Sequence, residues 1–342
     1  MILALLFTAF APEVAARTPM RADESEEVNA GPLRLRRDPD GEPTALETPI
    51  ISCRSQSSVT SPVSVDLISV IHLADARYYE KINLLLQGYD AVLFEGVTGT
   101  PRDVVSQSPS QPGSRRTSSG GSIDPAGAVV EPGDEVHITT LHGGELPEYG
   151  DGAQLPEDVF AFSMTVRSAQ MGLTRFLGLE DQGDHIDYTR PNMIHADLTM
   201  DELARLMEGR NESFSGYFKQ LVDAAVDSDS KGDLDTFSAM DLVIDMFATD
   251  RSRRFKVNFA QALDKVHRLG LIEQTQNTAL LAGRNQRVMS VLSRVIEKGA
   301  SNIGILYGGG HMSDIEARLK RDMNVVRSGV QWRVAWDLAP VQ

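Results

Sequence analysis

Apolar runs of strand length alternate with helix-period stretches in two parts of this chain, and polar segments separate them. Val65-Asp66-Leu67-Ile68-Ser69-Val70-Ile71 is rich in apolar and β-branched residues and reads as a buried strand. A helix is predicted over about Ala76 to Gln87, with Tyr79, Ile82, Leu85 and Leu86 on one side and Gly88 placed to end it. The run Ala91-Val92-Leu93-Phe94 is a second strand, completing a βαβ-like unit. Near the C-terminus the order recurs. Asn277–Lys298 is a helix stopped by Gly299, and Asn302-Ile303-Gly304-Ile305-Leu306-Tyr307 is a strand. Gly304 inside that strand suggests the close approach of another backbone. A helix around Ser313–Lys320 and two last strands, Asn324–Arg327 and Gln331–Trp336, follow.

The middle is mostly helical. Helical patterning runs from Glu157 to about Met171, and Thr174–Leu179 reads as a strand. Asp197-Leu198-Thr199 then opens a helix, with Thr199 and Glu202 at capping-box spacing. Further helices cover Tyr217–Val226, Phe237–Ala248 and Phe255–Leu269. The order predicts an α/β fold: a central, mostly parallel sheet flanked by helices, in one domain over residues 63–342 with a helical insertion at about 197–270.

Polar stretches set the remaining boundaries. Residues 17–62 are rich in Arg, Asp, Glu, Pro and Ser without apolar periodicity and read as a disordered leader. Residues 101–155, dominated by Ser, Pro and Gly and then by acids, read as a flexible surface insertion. Residues 1–16 contain an apolar run of signal-peptide length that lacks a basic start. A targeting leader, which would make the protein secreted or organellar, stands against an incomplete N-terminus or a chance apolar start, which would leave it soluble and intracellular. No other segment is long and apolar enough for a membrane span.

Thirty-three basic residues against 48 acidic ones give a net charge of −15, which argues against nucleic acid and anionic membrane surfaces as partners. The one cysteine, Cys53, permits neither a disulfide framework nor a thiolate metal site within the chain. Metal or acid–base chemistry must then come from His, Asp and Glu.

Three strand ends carry such groups. His72 follows the first strand, Glu95 follows Phe94, and His311 follows Gly308-Gly309-Gly310 after the last parallel-type strand. Ligands in α/β sheets sit at the C-terminal edge, so two imidazoles and a carboxylate there form a candidate metal or acid–base centre. The ordinary alternative for each is a capping role or a salt bridge, for Glu95 with Arg284. Arg284 and Asn285 lie on the long helix, and Arg284 is a candidate to fix Glu95 or to hold an anionic substrate group. His185-x-Asp187 and His195-x-Asp197 have metal-ligand spacing, but their polar setting favours loop capping and helix N-capping. Gln182 and Tyr188 are candidate substrate contacts, and His137, His142 and His267 have no supporting context. Phosphate-loop, nucleophile-elbow and His-Glu-x-x-His patterns are missing.

The set Ile71-His72, Phe94-Glu95, Arg284-Asn285 and Tyr307-Gly308-Gly309-Gly310-His311 resembles the TraB/GumN superfamily, which includes the TIKI proteins. That family has two Gly-x-x-His motifs, a Glu after the strand following the first, and an Arg-Asn pair on a late helix. The likeness covers about residues 64–100 and 170–337, and Ser69 stands where the family has the first glycine. It implies a metal-dependent hydrolase, most simply a peptidase acting on a peptide or protein. A divalent Mn, Co or Zn ion would be bound or served by His72, Glu95 and His311. Catalytic duty would be shared among these and Arg284, with Gly308, Gly309, Gly310 and Asn285 as substrate contacts. The alternative under the same resemblance is a non-catalytic peptide-binding or regulatory protein, and the oligomeric state is left open.

Overall fold

The computed structural model describes residues 31–56, 63–96, 177–213, 251–268 and 278–340, with Gly172, Thr174 and Gly216 besides. The leader at 1–16, the insertion at 101–155 with His137 and His142, and the helices proposed for 157–171, 217–226 and 237–248 lie outside, wholly or but for single residues.

The first elements are strands β1 (Arg34–Arg37), β2 (Pro43–Ser55), β3 (Ser64–Val70) and β4 (Leu73–Ala74), followed by helix α1 (Ala76–Leu86) and β5 (Ala91–Phe94). Then come β6 (Glu180–Asp181), α2 (Gln182–His185), β7 (Met193–His195), α3 (Met200–Gly209) and α4 (Arg251–Arg268). A π-helical turn, Ala279–Gly283, leads into α5 (Arg284–Glu297), followed by β8 (Asn302–Gly308). A 3-10 turn, Gly309–His311, joins β8 to α6 (Met312–Met323), and β9 (Val325–Asp337) closes the order.

Seven strands form one mixed sheet in the order β1-β2-β3-β8-β5-β7, with β9 on β2. β3, β8, β5 and β7 are mutually parallel, whereas β2 is antiparallel to β1, β3 and β9. The fold is α/β. The parallel strands read as unbroken apolar runs because both faces are covered. Ile68, Val70, Val92, Phe94 and Leu306 face α1 and α4 through Tyr79, Ile82, Leu86 and Phe259. Val65, Leu67, Leu93, Ile303, Ile305 and Tyr307 face α5 and α6 through Val288, Leu292, Ile315 and Leu319. Thr199 and Glu202 form the expected capping box on α3. Gly299, at φ +98°, ends α5 as expected.

Four expectations change. Residues 31–56 are no leader: β2 pairs along one edge with β9 from Ala45 to Ser55, and along the other with β1 and β3. The buried Glu47 has its charge met by the exposed Arg34 and Arg36 at 2.8 and 2.9 Å, so a polar sequence conceals a core strand. Thr174–Leu179 is not a strand, since Gly172, Thr174 and Leu177 are helical. Gly178, at φ +63°, ends that helix, and Leu177 packs in the core beside Phe255. What approaches Gly304 closely is the ring of Tyr89 and the tip of Ile68, not a backbone; a Cβ there would stand 3.0 Å from Tyr89 Cδ2. The two last strands are one, because the long partner β2 carries pairing through the exposed Ser328-Gly329.

Candidate active site at the carboxyl edge of the parallel strands

Parallel strands bring their carboxyl ends to the same edge, and register decides which residues meet there. Val70 pairs with Gly308, and Phe94 with Leu306 and His195. The residues just beyond, Glu95, Asp197 and the Gly308–His311 turn, are thereby gathered at the sheet edge. The Glu95 backbone N–H bonds Leu306 O at 3.1 Å, carrying the ladder one residue past the strand.

Glu95 lies against the start of the glycine turn. The Gly308 N–H donates to its Oε2 at 2.5 Å, and a Cβ on Gly308 would come within 3.1 Å of that oxygen. Glycine is needed there because the carboxylate occupies the space of a side chain. Gly309 is packed for another reason: a Cβ would fall 2.7 Å from Pro32 Cβ and 3.1 Å from Ser69 Oγ. Ser69 Oγ itself donates to Pro32 O at 3.1 Å, so this residue of the first motif anchors the segment before β1.

Arg284, at the start of α5, reaches the same edge. Its Nη2 donates to Glu95 Oε1 at 2.6 Å and to Asp197 Oδ2 at 2.6 Å, and its Nε to Asp197 Oδ1 at 2.9 Å. Asp197 also accepts from the backbone N–H groups of Gly96 at 2.9 Å and Leu198 at 2.7 Å, so its side chain is buried with both oxygens engaged. Burial alone would push the Glu95 and Asp197 carboxyls up; the Arg284 guanidinium, joined at Glu95 by the His311 and His72 imidazoles, more than reverses this and holds both below the usual carboxylate range. For Arg284, burial would weaken the proton, and Asp197 and Glu95 hold it on.

His311 is buried at the end of the turn. Its Nδ1 lies 2.6 Å from Asn285 Oδ1, and its Nε2 lies 3.4 Å from Arg284 Nη1 and 3.5 Å from Glu95 Oε1. The Tyr307 ring packs edge-on against the imidazole at 5.2 Å, and its hydroxyl donates to Ala196 O at 2.7 Å.

Four of the expected residues therefore meet: Glu95, His311, Arg284 and Asn285. Asn285 is fully buried, with Oδ1 on His311 and Nδ2 on Asp314 at 2.7 Å, so it serves the histidine rather than a substrate. Gly308 and Gly309 are likewise committed within the protein, and Gly310 lies in the turn between them and His311. His72 is exposed. Its charge acts on Glu95, and its backbone carbonyl accepts from Gln182 N at 2.8 Å. Gln182 is buried with Nε2 on the Tyr188 hydroxyl at 2.9 Å, and Tyr188 packs on Phe94 beside the site. His185 pairs with Glu180 and Asp187 with Arg190, away from the centre, as loop contacts.

Asp197 and Asp314 join the cluster as well. The sequence offers Asp197 as a possible metal ligand but favours helix N-capping, a task that Thr199 performs, and it does not single out Asp314. The rule that found Glu95, an acid just past an apolar strand, did not reach Asp197 because β7 has only three residues and ends in His195.

The donor chemistry fits a divalent cation in part. Glu95 is ionised, His311 presents Nε2 towards it, and the outer ring nitrogen is held by an amide, as in many metal-bound imidazoles. Two carboxylates share one guanidinium, and the His311 and His72 imidazoles are the other groups that act on Glu95. Among the described residues, no group of three His, Cys, Asp or Glu side chains stands close enough to hold an ion. Nor is any described helix long and apolar enough to cross a membrane.

No protein-family model, curated protein or solved structure matches this chain significantly.

Proposed function

We propose that this protein is a metal-dependent hydrolase of the TraB/GumN/TIKI type, acting on the amide bond of a peptide or protein. The observation that carries the reading is the juxtaposition of ionised Glu95 with His311 Nε2 at the carboxyl edge, where two carboxylates share one guanidinium. Glu95 and His311, which face each other, would bind the ion, one of Mn, Co or Zn, a choice that a His and carboxylate set does not make, and the exposed His72 would serve it from outside the pair. When bound, such an ion lowers the pKa of a water and polarises a carbonyl.

The residues divide the remaining work by chemistry. Glu95, held ionised by Arg284, contributes charge and is a poor proton carrier near neutral pH. Proton transfer would fall to His72, the imidazole not committed to the ion, since that side chain is suited to it in this range. Arg284 fixes Glu95, and its Nη1 faces His311 Nε2, where it would meet negative charge developing on a substrate oxygen. Asp197 keeps the guanidinium in place. Tyr188 and Gln182, between His72 and Phe94, line the approach.

A second reading has its own support. Arg284, Asp197 and Asn285 are satisfied within the protein, and His72 is not drawn in, which suits a peptide-binding or regulatory protein. Metal analysis of the purified chain with and without chelator, followed by a peptide-cleavage screen, separates the two. Stoichiometric metal with chelator-sensitive cleavage supports the hydrolase. Peptide binding without turnover at any metal loading overturns it.

A further inference from the structure

We infer that Asp314, acting through Asn285, decides which nitrogen of His311 carries the proton, and that it is therefore a positioning residue. An amide offers an acceptor at one end and a donor at the other, ends that shape alone does not distinguish. Asp314 distinguishes them. Its Oδ2 stands 2.7 Å from one end of the Asn285 amide and accepts from Arg318 Nε at 2.7 Å. A carboxylate paired with a guanidinium can only accept, so Asn285 turns its NH2 to Asp314 and its oxygen to His311. That oxygen lies 2.6 Å from Nδ1 and can only accept in its turn, so Nδ1 carries the hydrogen. The neutral ring then has its lone pair on Nε2.

The far side of the ring carries one donor and one acceptor. Arg284 Nη1, which can only donate, lies 3.4 Å from Nε2. Glu95 Oε1, which can only accept and already does so from Arg284 at 2.6 Å, lies at 3.5 Å and opposes that donor, so the choice rests on Asn285. Asp314 lies one turn beyond His311, in the first turn of α6, so the helix that opens at the imidazole also carries the group that orients it. A single tautomer is the consequence for the free protein. That Nε2 is the atom offered to a cation or a proton rests, in addition, on the reading given under Proposed function.

Long-range nitrogen–proton NMR of the 15N-labelled full chain, above the pH at which the imidazole is protonated, reads the tautomer directly, with His311→Gln identifying the signals. The expected spectrum has a protonated Nδ1 and a bare Nε2. Asp314→Asn lets position 314 donate as well as accept, so the bias on Asn285 is lost and both tautomers appear. Asp314→Glu and Arg318→Ala keep the single form. A wild-type ring protonated on Nε2 overturns the inference, as does an unmixed Nδ1–H form in Asp314→Asn. Should Asp314→Asn not fold, Asn285→Leu takes its place, with the same two outcomes. Zinc chloride titrated into the labelled protein should move Nε2 while Nδ1 keeps its proton, with affinity about 10- to 100-fold weaker in Asp314→Asn. The single tautomer without any response of Nε2 to zinc upholds the role of Asp314 and counts against the metal-dependent hydrolase instead.

Discussion

Arg284 grips Asp197 through two parallel hydrogen bonds, Nε to Oδ1 at 2.9 Å and Nη2 to Oδ2 at 2.6 Å, across 87 residues of sequence. Removing Asp197 leaves the buried guanidinium with Glu95 alone and takes the acceptor from the Gly96 and Leu198 N–H groups. Asp197→Ala should cost about 3–5 kcal/mol in denaturant unfolding. The double variant Asp197→Leu/Arg284→Met should cost less than the sum of the single changes, because Asp197 is then not left without its partner, although Glu95 loses the guanidinium. Strict additivity in that cycle would mean that the pair is not coupled.

Acid should act on the same cluster. The Glu95 carboxyl is held well below its usual value of 4.5, and that of Asp197 below 3.8. A carboxyl whose folded pKa is depressed contributes stability that is fully present above the unfolded value and is lost as pH falls through the folded one. Urea midpoints should therefore hold from pH 7 to about 5 and fall progressively below about 4.5. Glu95→Gln should be less stable than wild type at pH 7 and should lose less of its stability on acidification. Parallel curves for the two proteins would remove Glu95 from the cause.

His311→Ala should abolish metal-dependent cleavage while costing only about 1–3 kcal/mol, the penalty for leaving the buried Asn285 oxygen without a donor. Circular dichroism and an activity assay on the same sample check this. Global unfolding of the variant, with metal-free wild type equally stable, would make the histidine structural.

Gly309→Ala tests the packing of the turn. The added Cβ would stand 2.7 Å from Pro32 Cβ and 3.2 Å from Pro32 O, so a stability loss of about 1–3 kcal/mol is expected. The segment at Pro32 has to give way first, and raised hydrogen exchange in β1 would report it.

Deleting residues 1–56 should prevent folding. β2 bonds β1, β3 and β9, and without it β3 and β9 both lose their antiparallel partner. A soluble, cooperatively unfolding product would show instead that the parallel strands suffice.

The sequence by itself determined the parallel strands β3, β5 and β8, helices α1, α5 and α6, and the capping box on α3. In each, one local rule decides: an unbroken apolar run, a 3.6-residue period, or a polar side chain at a fixed spacing. It also placed Glu95, Arg284, Asn285 and His311 as candidates, because a polar group beside a buried run stands out against its neighbours. Only the tertiary structure decided the rest. β2 reads as polar because Glu47 and Thr48 find partners far away, in Arg34, Arg36 and Tyr78. Asp197 and Asp314 look like surface acids until register and helix packing bring Arg284 and Asn285 to them. His72, which local pattern ranks with His311, lies in the open because the chain turns at the sheet edge and leaves its ring outside. Side-chain pairing across tens or hundreds of residues is set by strand order, and strand order is a property of the whole chain rather than of any window along it.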